Sequence, residues 1–128
     1  MKLEENFSLH EFRCKDGTDV PEDLIENVKK LAKNLQILRN HIQRPITIMS
    51  GYRTPDYNKK CGGAKRSQHL LATAADIIVS GMTSLEVRDI VIKLIKDGEM
   101  DSGGVGIYPT FVHYDVRGRN ARWGSYKK

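Results

Sequence analysis

The sequence predicts an α+β fold: one domain over residues 1–128, a small antiparallel sheet with helices packed on it. Three observations support that class. Two segments, one opening at Pro21 and one at Thr83, carry apolar residues at three- and four-residue steps. Short β-prone runs occur at 46–49, 77–79, 103–108 and 111–117. Helices placed before and between antiparallel strands are the mark of an α+β arrangement.

The first element opens at F-S-L-H-E-F, residues 7–12. Ser8 suits a helix cap, Glu11 closes a capping box, and Phe7 with Phe12 makes a hydrophobic staple. Lys15, Asp16 and Gly17 form a turn that keeps this helix short, and His10 is an exposed residue of its first turn. Pro21 opens the second helix, with Glu22 and Asp23 suiting its positive end. Leu24, Val28, Leu31, Leu35 and Leu38 form its stripe, and it should end near 39–41, where Arg39 and His41 suit the negative end. Beyond Pro45 the strand at 46–49 runs to Ser50 and Gly51; Thr54 and Pro55 then start a short helix that Gly62 and Gly63 stop. Arg53 therefore falls at a junction of strand and helix, where side chains converge on a cleft. Further on, a strand runs out of Asp76. Thr83 and Glu86 make a second capping box for a helix with Leu85, Ile90, Val91, Leu94 and Ile95 as its apolar stripe, ending at Gly98. Pro109 and Thr110 turn between the last two strands, and Trp123 is expected to lid the core.

Composition bounds the function. A chain of 128 residues with 39% hydrophobic and 29% charged residues can bury a core and is not of the disordered class. No apolar run approaches the ~20 residues of a membrane span. No continuous apolar stretch follows Met1 to Glu5, so no secretory signal is read. The net charge is +5, and part of the excess lies in Arg117, Arg119, Arg122, Lys127 and Lys128. That favours an anionic partner, or simply a solubilising tail. Without a DNA-binding signature or aromatic–basic interleaving, nucleic acid is not an expected partner. Cys14 and Cys61 lack C-x-x-C spacing, and free thiols are expected.

The chemistry concentrates in two fragments. S-Q-H-L-L-A-T-A-A-D, residues 67–76, sets His69 seven residues before Asp76. F-V-H-Y-D-V-R, residues 111–117, alternates with period two. Phe111, His113, Asp115 and Arg117 share one face, and Val112, Tyr114 and Val116 suit the core on the other. A lone histidine is weak evidence for a metal. Together, His69, Asp76 and His113 would make a His₂-carboxylate set for one zinc ion, with a fourth position open to water and net positive charge left on the metal.

The pattern S-x-H-x-x-x-x-A-x-D, carried by Ser67, His69, Ala74 and Asp76, resembles the signature of the zinc D-Ala-D-Ala carboxypeptidase family. That family joins lysostaphin-type enzymes and the hedgehog signalling domain in one superfamily. S-G-Y-R-T-P at 50–55, G-G-A at 62–64, G-V-G-I-Y-P at 104–109 and F-V-H-Y-D at 111–115 resemble its flanking segments. F-S-L-H-E-F and D-G-T-D-V-P resemble its small bacterial and phage branch, so the likeness covers nearly the whole chain. The resemblance implies His69, Asp76 and His113 as zinc ligands, Arg53 on the scissile carbonyl or its oxyanion, and Ser67 on the substrate peptide. Two positions depart from the pattern. Ala72 stands where glycine is expected. Thr110 stands where many members carry the Asp or Glu general base, three residues before the last histidine. Asp115 becomes the first choice for that proton acceptor, with Glu99 and Asp101 in reserve. Asp115 is equally suited to orienting a ligand histidine.

Two readings follow from the resemblance. In one, the chain is a monomeric zinc metallopeptidase that cuts peptidoglycan stem peptides or crosslinks, as a carboxypeptidase, an endopeptidase or a phage endolysin. It would be made in the cytoplasm and act at the wall or periplasm after release or export by another route. In the other, it is a non-catalytic zinc module that binds peptide or wall.

Overall fold

The computed structural model describes residues 1–124, so Lys127 and Lys128 of the basic tail lie outside the described residues. Phe7 and Phe12 meet with ring centroids 6.2 Å apart, as the staple requires, and Glu11 accepts a hydrogen bond from the Ser8 N–H at 3.2 Å. The element they frame is a single 3-10 turn, Leu9–Phe12, preceded by a small antiparallel pair, β1 (Lys2–Glu4) and β2 (Phe7–Ser8). Pro21 precedes a 3-10 turn that feeds α1 (Ile25–Ile42), which ends one residue past His41 and is capped by Gln43 in a left-handed conformation. Val28, Leu31, Leu35 and Leu38 are fully buried. Truncating one such leucine to alanine costs about 2–5 kcal/mol.

Next come β3 (Ile46–Ser50), α2 (Pro55–Lys60), β4 (Ala74–Val79) and α3 (Ser84–Lys96). Thr54 caps α2 by accepting from the Tyr57 N–H at 3.2 Å. Thr83 and Glu86 form the expected reciprocal box on α3, with bonds of 2.9 and 3.1 Å. One member of the predicted α3 stripe fails: Leu85, in the first turn, is exposed, and Val87 is buried with Val91, Leu94 and Ile95. The chain closes with β5 (Gly104–Ile107), β6 (Val112–Asp115) and β7 (Ala121–Gly124).

Five strands form one sheet in the order β3-β4-β6-β5-β7. The first four pair antiparallel as predicted, but β7 joins the edge parallel to β5, which makes the sheet mixed. Alternation divides the faces. Ala75, Ile77, Val79, Val105, Val112 and Tyr114 join α1 and α3 residues in one core. On the opposite face the register aligns a row across all five strands: Ser50 beside Asp76, Asp76 beside His113, His113 beside Gly106, and Gly106 beside Trp123. That row is the floor of the site. Cys14 is buried and Cys61 exposed, both as free thiols. No helix among the described residues is long and apolar enough to cross a membrane.

Candidate metal centre

His69 reaches the floor from a 3-10 turn, Gln68–Leu71, whose start is capped by Ser67: the Ser67 Oγ accepts from the His69 N–H at 3.2 Å. Ala72 ends this turn with φ of 58°, in the left-handed region that favours glycine. The departure from the family pattern is therefore a strained one. The His69 ring contacts the carbonyl oxygen of Gly51 through Nδ1 at 2.7 Å. A carbonyl can only accept, so Nδ1 carries the proton and Nε2 keeps its lone pair. Gly51 can come this close because it has no side chain; a Cβ there would lie 2.8 Å from the Phe12 carbonyl oxygen. The opening F-S-L-H-E-F segment thus has a purpose at the site. It packs against Gly51 and, through the Phe12 carbonyl, accepts the Tyr52 N–H at 2.8 Å.

His113 is held differently. Its Nε2 lies 2.7 Å from Asp115 Oδ2. The Asp115 carboxylate also accepts two bonds from the Arg117 guanidinium, at 2.9 and 2.7 Å, one from the Gly104 N–H at 2.8 Å and one from the Arg117 N–H at 3.1 Å. Burial opposes ionisation of Asp115. The bonds from His113, Arg117 and the Gly104 N–H outweigh it and hold the carboxyl well below the usual carboxylate range. An ionised Asp115 fixes the proton on Nε2 and leaves the Nδ1 lone pair pointing at Asp76.

His69 Nε2 lies 3.3 Å and His113 Nδ1 3.2 Å from the same atom, Asp76 Oδ1. In these tautomers, three lone pairs converge on one point, an arrangement that a cation among them would stabilise. All three donor atoms lie within 4.8 Å of one another. Tetrahedral zinc, with bonds of about 2.0–2.1 Å to nitrogen and oxygen, sets neighbouring ligand atoms about 3.3 Å apart. The donor set and its spacing fit such an ion. Burial also opposes ionisation of Asp76, but the His113 and His69 rings beside it outweigh burial and hold the group well below the usual range. For His113, burial favours the neutral ring. The carboxylates of Asp115 and Asp76 reverse that and raise its pKa.

The cluster opens into a cleft of about 510 Å³. Arg53 lines one side, tied by Nη2 to Asp76 Oδ2 at 3.3 Å, by Nε to Ser50 Oγ at 3.1 Å and by Nη1 to Asn58 Oδ1 at 3.3 Å. Ser67 lines the same cleft. The other residues singled out for catalysis do not. Asp115 shares the face of His113, as its strand period requires, but it has no exposed surface and does not line the cleft. Arg117 and Trp123 cover it, and period two says nothing about what lies over a strand. Asp101 sits on the α1 side, bonded to Asn34 through its side chain at 3.1 Å and its N–H at 2.7 Å. Neither Glu99 nor the exposed Thr110 lines the cleft, and His10 and His41 are exposed outside it. Among the described residues, Asp76 is the cleft's single carboxylate.

Two groups escaped the sequence reading. The Gly51 carbonyl carries no side-chain signature. Trp123 is not a lid on the core: it forms a wall of the cleft, 4.9 Å from the His113 ring between centroids and 5.2 Å from the Arg117 guanidinium. The clue was G-V-G. Gly104 and Gly106 expose bare backbone on one face, and a Cβ on either would collide with the indole, at 2.9 and 2.4 Å.

A search of curated proteins finds no match. A family model described as Peptidase M15 matches residues 4–115, a span that contains every residue of the cluster. The family is one of zinc-dependent metallopeptidases. With its donors spaced for zinc and nearly the whole chain matched, the protein belongs to the Peptidase M15 family of zinc D-Ala-D-Ala carboxypeptidases.

Proposed function

We propose that this chain hydrolyses peptide bonds in peptidoglycan, in stem peptides or crosslinks, with His69, Asp76 and His113 holding one zinc ion. The observation that carries the reading is the convergence of three donor atoms within 4.8 Å on the floor of an open cleft, with Arg53 beside them. When bound, zinc supplies a Lewis acid for the scissile carbonyl and lowers the pKa of a coordinated water. Arg53 binds and polarises the same carbonyl. Its tie to Asp76 fixes the guanidinium before substrate arrives, so little reorganisation is needed during the reaction. Because the Ser67 oxygen accepts from the His69 N–H, the Ser67 hydroxyl proton is available to a substrate carbonyl. Asp115 orients His113 and keeps the lone pair on Nδ1; a carboxyl held so far below neutrality is a poor proton acceptor. The basic balance of the chain suits an anionic wall, reached by release or by export.

A second reading, a zinc module that binds wall peptide without cutting it, is favoured by one observation. The cleft offers no carboxylate beyond Asp76 as a general base. Purified native chain and His69→Ala, each supplied with zinc, should be incubated with isolated peptidoglycan. Fragments released by the native chain alone support the peptidase, and mass spectrometry of the new ends separates carboxypeptidase from endopeptidase. Binding without release, across walls of different peptide chemistry, supports the module.

A further inference from the structure

The lining of the cleft carries a hydroxyl that the proposed chemistry does not use. Tyr108 lines the cleft with its ring stacked on Phe111, at 4.5 Å between centroids and 11° between planes. Its oxygen lies 2.9 Å from Trp123 Nε1. An indole N–H can only donate, so the Tyr108 oxygen must be the acceptor in that bond. The phenolic proton is thereby left over, and no acceptor for it is found among the described residues. Trp123 is itself fixed. It lies over Gly104 and Gly106 where any side chain would collide, with His113 on one side and Arg117 across its ring. Phe111 and Trp123 together hold the phenol in place from two directions.

We propose that Tyr108 is a substrate-contacting hydrogen-bond donor, held by Trp123, that binds a backbone carbonyl of the peptide residue flanking the scissile bond. The inference rests on the peptidase reading above. The hydroxyl is bonded to the indole, whose ring in turn lies 4.9 Å from the His113 ring between centroids, and an extended peptide advances about 3.3 Å per residue. It therefore meets a neighbouring residue and not the reacting carbonyl. A neutral donor also suits a neutral acceptor, since the guanidinium groups of the cleft are the better matches for a carboxylate.

The distinction between positioning and chemistry gives the test. Loss of a contact made equally in ground and transition states raises KM and leaves kcat alone. Tyr108→Phe should raise KM for a soluble stem-peptide muropeptide about three- to tenfold, the loss of one neutral hydrogen bond, with kcat within about twofold of native. Its metal content should match the native chain. Trp123→Phe, which keeps a ring but loses the N–H, should raise KM by less, and adding it to Tyr108→Phe should have little further effect. A native KM in Tyr108→Phe overturns this inference alone. Loss of metal or a matching fall in kcat also overturns it, by showing that the residue supports the metal centre instead. No turnover by the native chain under zinc removes the peptidase reading and this inference with it.

Discussion

His69 is held by a neutral backbone carbonyl, whereas His113 is held by an ionised carboxylate buried beneath an arginine and a tryptophan. Both devices fix the tautomer and present one lone pair to Asp76. Their costs differ. The Gly51 carbonyl is already part of the backbone and adds no charge to the interior. Asp115 brings a buried charge that is stable only while Arg117, His113 and the Gly104 N–H all remain in place. The His69 side should therefore tolerate change gradually, while the His113 side should fail as a unit.

Five substitutions can break or sharpen that contrast. The largest effect is expected from Asp115→Asn, which leaves the Arg117 charge without its partner. Removing one member of a buried pair costs about 3–5 kcal/mol of stability, measured by chemical denaturation, and lost support of a ligand histidine lowers zinc affinity about 10–100-fold. Adding Arg117→Met should recover part of the stability and none of the affinity; recovery of both would mean that Asp115 acts only through packing. Gly104→Ala comes next. A Cβ there lies 2.4 Å from Asp115 Oδ2 and 2.8 Å from Arg117 Nη2, so the pair must shift, at about 1–3 kcal/mol.

On the His69 side the effects are smaller, and one has the opposite sign. Ala72→Gly relieves a left-handed backbone at φ 58° that costs alanine about 1–2 kcal/mol. The extra freedom of glycine in the unfolded chain offsets part of it, leaving a net gain of up to about 1 kcal/mol. No change in midpoint would show that the turn is not strained. The smallest effect concerns Asp16, which accepts from the Thr18 N–H at 2.9 Å and from the Thr54 hydroxyl at the start of α2 at 3.0 Å. Hydrogen bonds from Thr18 lead in lowering its pKa from 3.8 to about 2. A depressed acid stabilises the fold above its unfolded pKa, and the contribution is lost as pH falls through the folded one. The stability difference between the native chain and Asp16→Asn should therefore be full above pH 3.8 and fade towards pH 2. A constant difference would assign it to shape and not to charge.

The same contrast explains what was legible in the sequence. Arg53, Ser67, His69, Asp76 and His113 were found because their chemistry sits in side chains at recognisable spacings. The structure brings all five to one cleft. The two helices and the four antiparallel strands were legible because their apolar periods match the faces they bury. The short first helix became a 3-10 turn, since Phe7 and Ser8 are drawn into a strand pair. Asp115 shares the His113 face as expected but does not reach the cleft, because alternation gives a direction and not a cover: Arg117, two residues on, folds back over it. Trp123 was misread because β7 pairs parallel with β5, a non-local contact without a local turn signal. The two glycines at 104 and 106, facing the same way, were the trace it left in the sequence.

The central claim is that His69, Asp76 and His113 hold a metal ion together. Asp76 tests it best, because its Oδ1 is the atom both histidines face. The measurement is zinc per chain by elemental mass spectrometry, on native protein and on folded Asp76→Ala after dialysis. The account predicts about one zinc per native chain and almost none in the variant, with circular dichroism unchanged in shape. Full zinc content in Asp76→Ala would contradict it.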